Sequence, residues 1–289
     1  MKHAPECVPC LFGRVLFQSR LPDNGREAES VEAALRTCAR VISEEPNSAR
    51  MATHVHRSSY DALGVRDPYL DLKLRADETA ARYDGRIKEF IDGSDNRFRT
   101  AVKAAILGNI MDFGAGIAID SPEEFEGIFE SLLEMELAAD DTEKMTEILR
   151  SGCSVVYFFD NCGETVFDIP LIQQIRGMGN RVVGVVRGEP ILNDVTMEDA
   201  LRIGLDEQLD SILTTGAFAI GVDMRKIGDD LREEMRTAGL IIAKGMANFE
   251  SLGEEDLKAP VAYLLKAKCA PVASELGVKV GSSVAKVIP

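Results

Sequence analysis

No stretch of this 289-residue chain approaches the roughly 20 consecutive apolar residues that a membrane-spanning helix needs, so no membrane partner is expected. The opening residues, MKHAPECVPCLFGRVLF, lack a clean apolar run followed by a small-residue cleavage site. They do not read as a secretory signal, and the expected location is cytoplasmic. A basic excess is missing too: 33 Lys and Arg stand against 48 Asp and Glu, for a formal net charge of −15. With no Lys/Arg-rich segment to meet a phosphate backbone, a nucleic-acid partner is not expected. Six cysteines, at 7, 10, 38, 153, 162 and 269, are too sparse for a disulfide scaffold and read mostly as thiols. There is no GxxxxGK[ST] loop, no GxGxxG after a strand-like run and no G-x-S-x-G elbow, which argues against nucleotide-loop and α/β-hydrolase readings.

What is present divides the chain near residue 150. Segments near 5–20, 26–44, 47–63, 67–92, 97–112, 122–137 and 141–150 carry helical apolar spacing, separated by turn clusters such as Pro22-Asp23-Asn24-Gly25 and Glu45-Pro46-Asn47-Ser48. Asp120-Ser121-Pro122-Glu123-Glu124 is a strong helix start. After Gly152 short runs rich in Val, Ile, Leu and Phe take over: Ser154–Phe159, Arg181–Val186, Ser211–Thr214, Gly239–Ala243 and Val261–Leu265. Runs of this length suit strands buried on both faces of a parallel sheet, and helical spacing fills the gaps between them. The expected fold is therefore α/β: a doubly wound, mostly parallel, Rossmann-like sheet over 151–289, preceded by a helical part over 1–150.

In such sheets ligands bind in the crevice outside the carboxyl ends of the strands. The residues that follow the five runs are Asp160-Asn161-Cys162-Gly163-Glu164, Arg187-Gly188-Glu189 with Asn193-Asp194 beyond, Thr214-Thr215-Gly216, Lys244-Gly245 with Asn248 and Glu250 beyond, and Lys266-Ala267-Lys268. Asp160, Asn161 and Asp194 offer hard oxygen donors suited to Mg²⁺ or Mn²⁺. Gly163 would let the backbone turn closely, and the helix opening at Glu164 would aim its amides at an anion. Lys244, Lys266 and Lys268 could neutralise phosphate oxygens. The sharp reading is metal-assisted phosphoryl transfer to water.

A blander reading covers each piece alone. Asp-Asn-x-Gly after a strand also fits a capped turn, Asn193-Asp194 a helix cap, Lys244 a surface lysine and Glu250 a solvated carboxylate. It is their joint placement at strand ends that favours a site. Cys7-Val-Pro-Cys10 fits half of a metal or redox site as well as inert thiols. His54 and His56 are two apart, share no helix face and flank no carboxylate cluster.

Taken together, FDNCGETVFD, ILNDVT, KGMANFE and KAKCAPVASELGV resemble the damage-control phosphatases, long catalogued as domain of unknown function 89. Cys7-Val-Pro-Cys10 and the Gly108–Gly114 segment GNIMDFG look like the CxxC-bearing, largely prokaryotic and archaeal branch. The matches run in order over nearly the whole chain. The resemblance implies a helical N-terminal part that contributes to the site, and divalent-metal-dependent phosphatase activity with Mg, Mn, Co or Ni. It implies a metal triad of Asp160, Asn161 and Asp194. It also implies phosphate- and substrate-facing roles for Lys244, Asn109 and Asp112, with Glu164, Asp168, Gly245, Asn248 and Glu250 as motif neighbours; Gly163, Thr215 and Gly216 are expected beside the substrate from their places at strand ends. One departure is the lack of an acidic residue just after Gly216, for which Asp223 is the nearest substitute.

The expected function is hydrolysis of small phosphorylated metabolites, with a homo-oligomer possible. The alternatives are a phosphometabolite- or nucleotide-binding protein without turnover and, last, a methyltransferase.

Overall fold

A computed structural model describes residues 1–111 and 124–289 of the chain. Strand β1 is Leu137–Asp140, β2 Ser154–Phe158, β3 Arg181–Val186, β4 Ser211–Thr214, β5 Leu240–Lys244, β6 Val261–Lys266 and β7 Ser283–Ile288. They form one sheet in the order β1-β7-β6-β5-β2-β3-β4. β6, β5, β2, β3 and β4 run parallel, and β7 is antiparallel to β6. The protein is thus α/β with a mostly parallel seven-stranded sheet. All five expected strands form, within a residue of their expected bounds.

Alternation along β2 explains how both faces of the sheet are covered. Val155 and Tyr157 belong to one buried cluster, Val156 and Phe158 to another. The first cluster takes in α9 (Glu164–Gly177) through Phe167, Leu171 and Ile175, and α6 (Arg97–Gly108) through Phe98, Ala101 and Ala105. The second takes in α11 (Asp229–Thr237), α12 (Gly245–Leu252) and α13 (Ala270–Leu276). Each buried Val, Leu or Phe side chain is worth about 1.5–3 kcal/mol of transfer free energy, so β2, buried from Val155 to Phe158, anchors both layers.

The N-terminal helices follow the expected segments, with two differences. The stretch expected as one helix over 67–92 is two, α4 (Leu70–Ala81) and α5 (Asp84–Asp92), which meet at Arg82 and Tyr83. The start of the helix expected over 122–137, Ser121–Glu123 included, lies outside the described residues, which pick it up as α7 (Glu124–Leu133). The chain then forms β1, a strand on the N-terminal side of residue 150, and α8 (Thr142–Leu149). The helices α1 (Cys7–Arg20), α2 (Glu27–Val41) and α3 (Ser48–Leu63) share a small core of Leu11, Val15, Ala34, Cys38, Met51 and Val55. Asn47 caps α3, accepting the Arg50 amide at 3.1 Å, and Gly64, at φ 66°, ends it.

From β2 the chain winds outward to β3 and β4, then returns to β5 on the other side of β2 and continues to β6. The order of strands therefore reverses between β2 and β5. Their carboxyl ends lie side by side at this switch point, the place where open α/β sheets bind ligands.

Candidate functional site

Beyond β2 and β3 the backbone builds a small bracket. The Val195 amide donates to Asp160 O (2.8 Å), the Arg187 amide to Val195 O (2.9 Å) and the Cys162 amide to Asn193 O (2.9 Å). Asn161 and Asp194 face each other as an isolated antiparallel bridge. Leu192 turns the chain at φ 50°, an unusual left-handed value for a leucine, and its amide donates to Tyr60 Oη (2.9 Å). Asn193 Nδ2 donates to Met111 O at 2.8 Å. The helical half thus pins the loop that carries Asp194, and the bracket sets Asp194 beside Asn161.

A buried arginine ties the two carboxylates together. Arg187, only 1% exposed, donates from Nε to Asp194 Oδ2 (2.5 Å), from Nη2 to Asp160 Oδ1 (3.3 Å) and from Nη1 to Asn248 Oδ1 (2.9 Å). Asn248 in turn donates to Phe159 O (3.0 Å) and Lys244 O (2.7 Å), binding α12 to the ends of β2 and β5. Planar, forked guanidinium donors suit this three-way task, and a lysine would not span it.

The other face of Asp160 is held by amides. Asn161 Nδ2 donates to Asp160 Oδ2 (3.0 Å) and Glu164 Oε2 (2.8 Å). Asn109 Nδ2 makes the same pair of bonds at 3.2 and 2.9 Å, and its Oδ1 accepts the Lys266 amide. Both amide orientations are dictated by chemistry, since an oxygen in either place would confront two carboxylates. The Asn161 oxygen is thereby turned away from Glu164.

Beneath this layer lies Lys244, fully buried. Its ammonium donates to Ala105 O (2.9 Å), to Asp168 Oδ1 (2.7 Å) and, in a short bond, to Glu164 Oε1. Tyr157 Oη adds a bond to Asp168 Oδ1 at 2.8 Å. Burial alone would lower the Lys244 pKa, and the Asp168 and Glu164 carboxylates reverse that and raise it. Burial raises Asp168, pushed up to about 7 against the pull of Lys244. Asp168 Oδ2 has no partner among the described residues. Lys244, expected to face phosphate, thus sits in a closed ion cluster and is not among the residues that line the cavity described below. The sequence reading could not anticipate this because the enclosing groups come from α6 and α9.

The glycines at the site act by close approach. Gly245 takes φ +73°, and a Cβ there would overlap Asp160 Oδ2. Gly163, at φ +78°, would press a Cβ on Met111 and Ala76. Its amide donates to Asp77 Oδ1 at 2.6 Å. That bond occupies the donor.

A cavity of about 360 Å³ opens above Asp160, Asn161 and Asp194, which all line it. Further lining comes from α1, α3, α12 and the turn before α13, including Cys7, Cys10, His56, Glu250 and Cys269. Glu250 accepts Ser48 Oγ at 2.5 Å, and burial raises its pKa. Among the described residues no three His, Cys, Asp or Glu side chains converge as metal ligands. Lys244, Asn109, Glu164, Asp168, Gly245 and Asn248 form the layer below the cavity. Thr215 and Gly216 stand apart from it. They follow edge strand β4, where Thr215 Oγ1 accepts the Gly188 amide at 3.1 Å and Gly216 packs on Gly188. Asp223 lines a separate hollow and pairs with Arg225 at 2.8 Å. Asp112 lies outside the described residues.

Two oxygen-bearing chains on the cavity wall, Asp160 and Asp194, plus the Asn161 amide make a hard-donor set. The surrounding charges bear on whether a cation fits. Arg187 pairs with Asp160 and Asp194, and Lys244 with Glu164 and Asp168, in this nearly dry cluster. A divalent cation beside Asp160 and Asp194 would meet two carboxylates and an amide oxygen, the hard donors such ions prefer. The residues fit such an ion.

Sequence reasoning singled out no role for Tyr157 or His56, gave Asn193 only a helix-cap reading and noted Arg187 only as one of the strand-end charges. The only available signal for Arg187 was its place directly after a central strand.

Residues 3–284 match the model described as Damage-control phosphatase ARMT1-like domain. A damage-control phosphatase of Archaeoglobus fulgidus is 41% identical over 290 residues, covering 100% of both chains. One from Pyrococcus horikoshii is 34% identical, covering 98% of this chain and 97% of its own. The crystal structure of a family-89 protein from Pyrococcus horikoshii superposes with a TM-score of 0.87 at 32% identity, over 99% of this chain and 98% of that one.

Proposed function

Because this chain belongs to the damage-control phosphatase ARMT1-like domain family, we propose that it hydrolyses phosphate monoesters of small metabolites, sugar phosphates and damaged phosphometabolites among them, with a divalent metal ion held by Asp160, Asn161 and Asp194. The observation that carries this reading is the convergence of those three side chains, from the ends of two strands, on one cavity at the switch point of the sheet.

When bound, Mg²⁺, Mn²⁺, Co²⁺ or Ni²⁺ would supply Lewis-acid polarisation of the phosphoryl group and a more acidic water. The chain's own residues prepare the place. Arg187 orients both carboxylates from below, and Asn248 fixes Arg187. Asn109 and Glu164 hold the Asn161 amide and Asp160 in one rotamer each. Lys244 holds Glu164 in place from the sealed side. Such pre-set polar groups cost little reorganisation when charge develops in the cavity.

The test is phosphate release from 4-nitrophenyl phosphate by metal-stripped protein, resupplied in turn with each of the four ions. Turnover restored by metal in the wild type and lost in Asp160→Ala supports the reading. Correctly folded wild type without turnover under any metal, yet binding phosphorylated ligands tightly, would replace it with a binding protein.

A further inference from the structure

Much of the cavity wall is unlike a sugar-binding surface. Leu11, Met51, Leu192, Ile220, Met246 and Pro271 face the space with hydrocarbon and thioether groups. Cys7 and Cys269 add to this character, since burial raises both thiols and keeps them protonated. A polyol seated there would leave hydroxyls without partners, which costs more than a missing contact.

One polar group inside the wall is built in from behind. His56, 1% exposed, lines the cavity, and its Nδ1 meets Gln18 Oε1 at 2.8 Å. Gln18 Nε2 donates to Ser59 Oγ (2.5 Å), and Ser59 Oγ pairs with Ser30 Oγ (2.7 Å). All four residues are buried. With the Gln18 amide assigned in this direction, the ring proton sits on Nδ1 and Nε2 is a lone-pair acceptor. Nε2 has no hydrogen bond among the described residues. A relay of three buried side chains thus fixes the tautomer of a ring that lines the same cavity as Asp160 and Asp194. Arg14 and the exposed Glu6 also line the cavity on the α1 side, and Glu250 is engaged by Ser48.

We propose that the cavity takes phosphate monoesters of compact, largely apolar alcohols bearing one hydrogen-bond donor, and that His56 Nε2 accepts that donor. His56 is then a specificity-determining residue for the alcohol portion, while the phosphate meets the Asp160–Asp194 side. This inference rests on the phosphatase reading above and narrows its substrates.

The experiment uses the full-length, metal-loaded protein and a short series of ω-hydroxyalkyl phosphates. Each is paired with the plain alkyl phosphate and the polyol phosphate of the same chain length, and 4-nitrophenyl phosphate serves as the reference. For at least one chain length, kcat/KM should favour the ω-hydroxy ester over the alkyl ester by about tenfold, as expected when a built acceptor is left unpaired. The alkyl ester should in turn exceed the polyol ester. His56→Phe should erase the first preference, chiefly through KM, and His56→Gln, which keeps an acceptor oxygen, should retain part of it. Unfolding curves for both variants establish that they are folded. A polyol ester as the best substrate overturns the apolar site, and equal rates for hydroxy and alkyl esters, or a preference that survives His56→Phe, overturn the role of His56. Turnover of 4-nitrophenyl phosphate with none of the series accepted also overturns the inference. Loss of 4-nitrophenyl phosphate turnover itself would instead strike at the phosphatase reading.

Discussion

Gly245 and Asp160 meet so closely that no side chain fits between them: a Cβ at 245 would overlap the Asp160 Oδ2 atom and crowd Asn109 Nδ2 at 3.1 Å. The contact joins the ends of β5 and β2, the two strands at the switch point, and the φ of +73° at Gly245 makes the turn that allows it. Gly245→Ala should therefore act on position as well as stability. The left-handed backbone alone costs an L residue about 1–2 kcal/mol, and Asp160 has to move. The expected outcome is a drop of about 2 kcal/mol in urea unfolding with a larger loss of metal-restored turnover, on the order of 100-fold. Wild-type turnover in the variant would show that Asp160 need not hold its place.

The buried arginine gives a prediction that separates structure from metal. Arg187→Met leaves Asp160 and Asp194 without the cation that joins them, and breaking a buried pair from one side costs about 3–5 kcal/mol. A divalent ion should replace part of that lost charge. Thermal unfolding with and without Mn²⁺ should show a larger metal-induced rise in Tm for Arg187→Met than for the wild type. An equal or smaller rise would mean that Arg187 itself completes the metal's surroundings.

How far the sequence carries can be read from these same residues. Asp160 and Asn161 stood out as hard donors directly after a buried apolar run and Asp194 beyond the next, and the structure brings all three to one cavity; the parallel strands were legible because both their faces are buried. β7 was not, since Lys286 interrupts its apolar pattern and it runs antiparallel near the sheet edge. β1 is four residues with alternating exposure, too short to declare itself. Arg187 and Lys244 were visible as charges, but their partners come from α6, α9, α12 and the loops after β2 and β3, and no local pattern encodes which carboxylate a buried cation meets.

Lys244 invites a test of whether it serves phosphate or the fold. Lys244→Met leaves Glu164 and Asp168 buried without their shared cation and should cost about 3–5 kcal/mol. Adding Glu164→Gln and Asp168→Asn removes the stranded charges, so the triple variant should recover much of that stability in urea unfolding. If the single variant were as stable as the wild type while KM for phosphate esters rose sharply, the ammonium would have to reach the cavity after all.

The buried imidazole makes the last prediction, and its sign follows from linkage. Burial first, then the nearby Arg14 charge, pushes His56 down from its ordinary 6.5 to about 3. A base with a depressed folded pKa supports the fold above its unfolded pKa and withdraws that support as pH falls, because the unfolded chain takes up the proton more readily. Between pH 7 and pH 5 this single group should remove about 2 kcal/mol of stability. Much of the remaining acid sensitivity comes from carboxylates, which His56→Gln leaves in place. The difference between wild type and His56→Gln, followed by urea unfolding at stepped pH, should therefore shrink as pH falls from 7 to 5 and keep shrinking toward 4. A constant difference across that range would mean that His56 protonates as readily in the folded protein as in the unfolded chain. Its Nε2 could then be charged in the cavity, and a neutral acceptor would no longer describe the wall it forms.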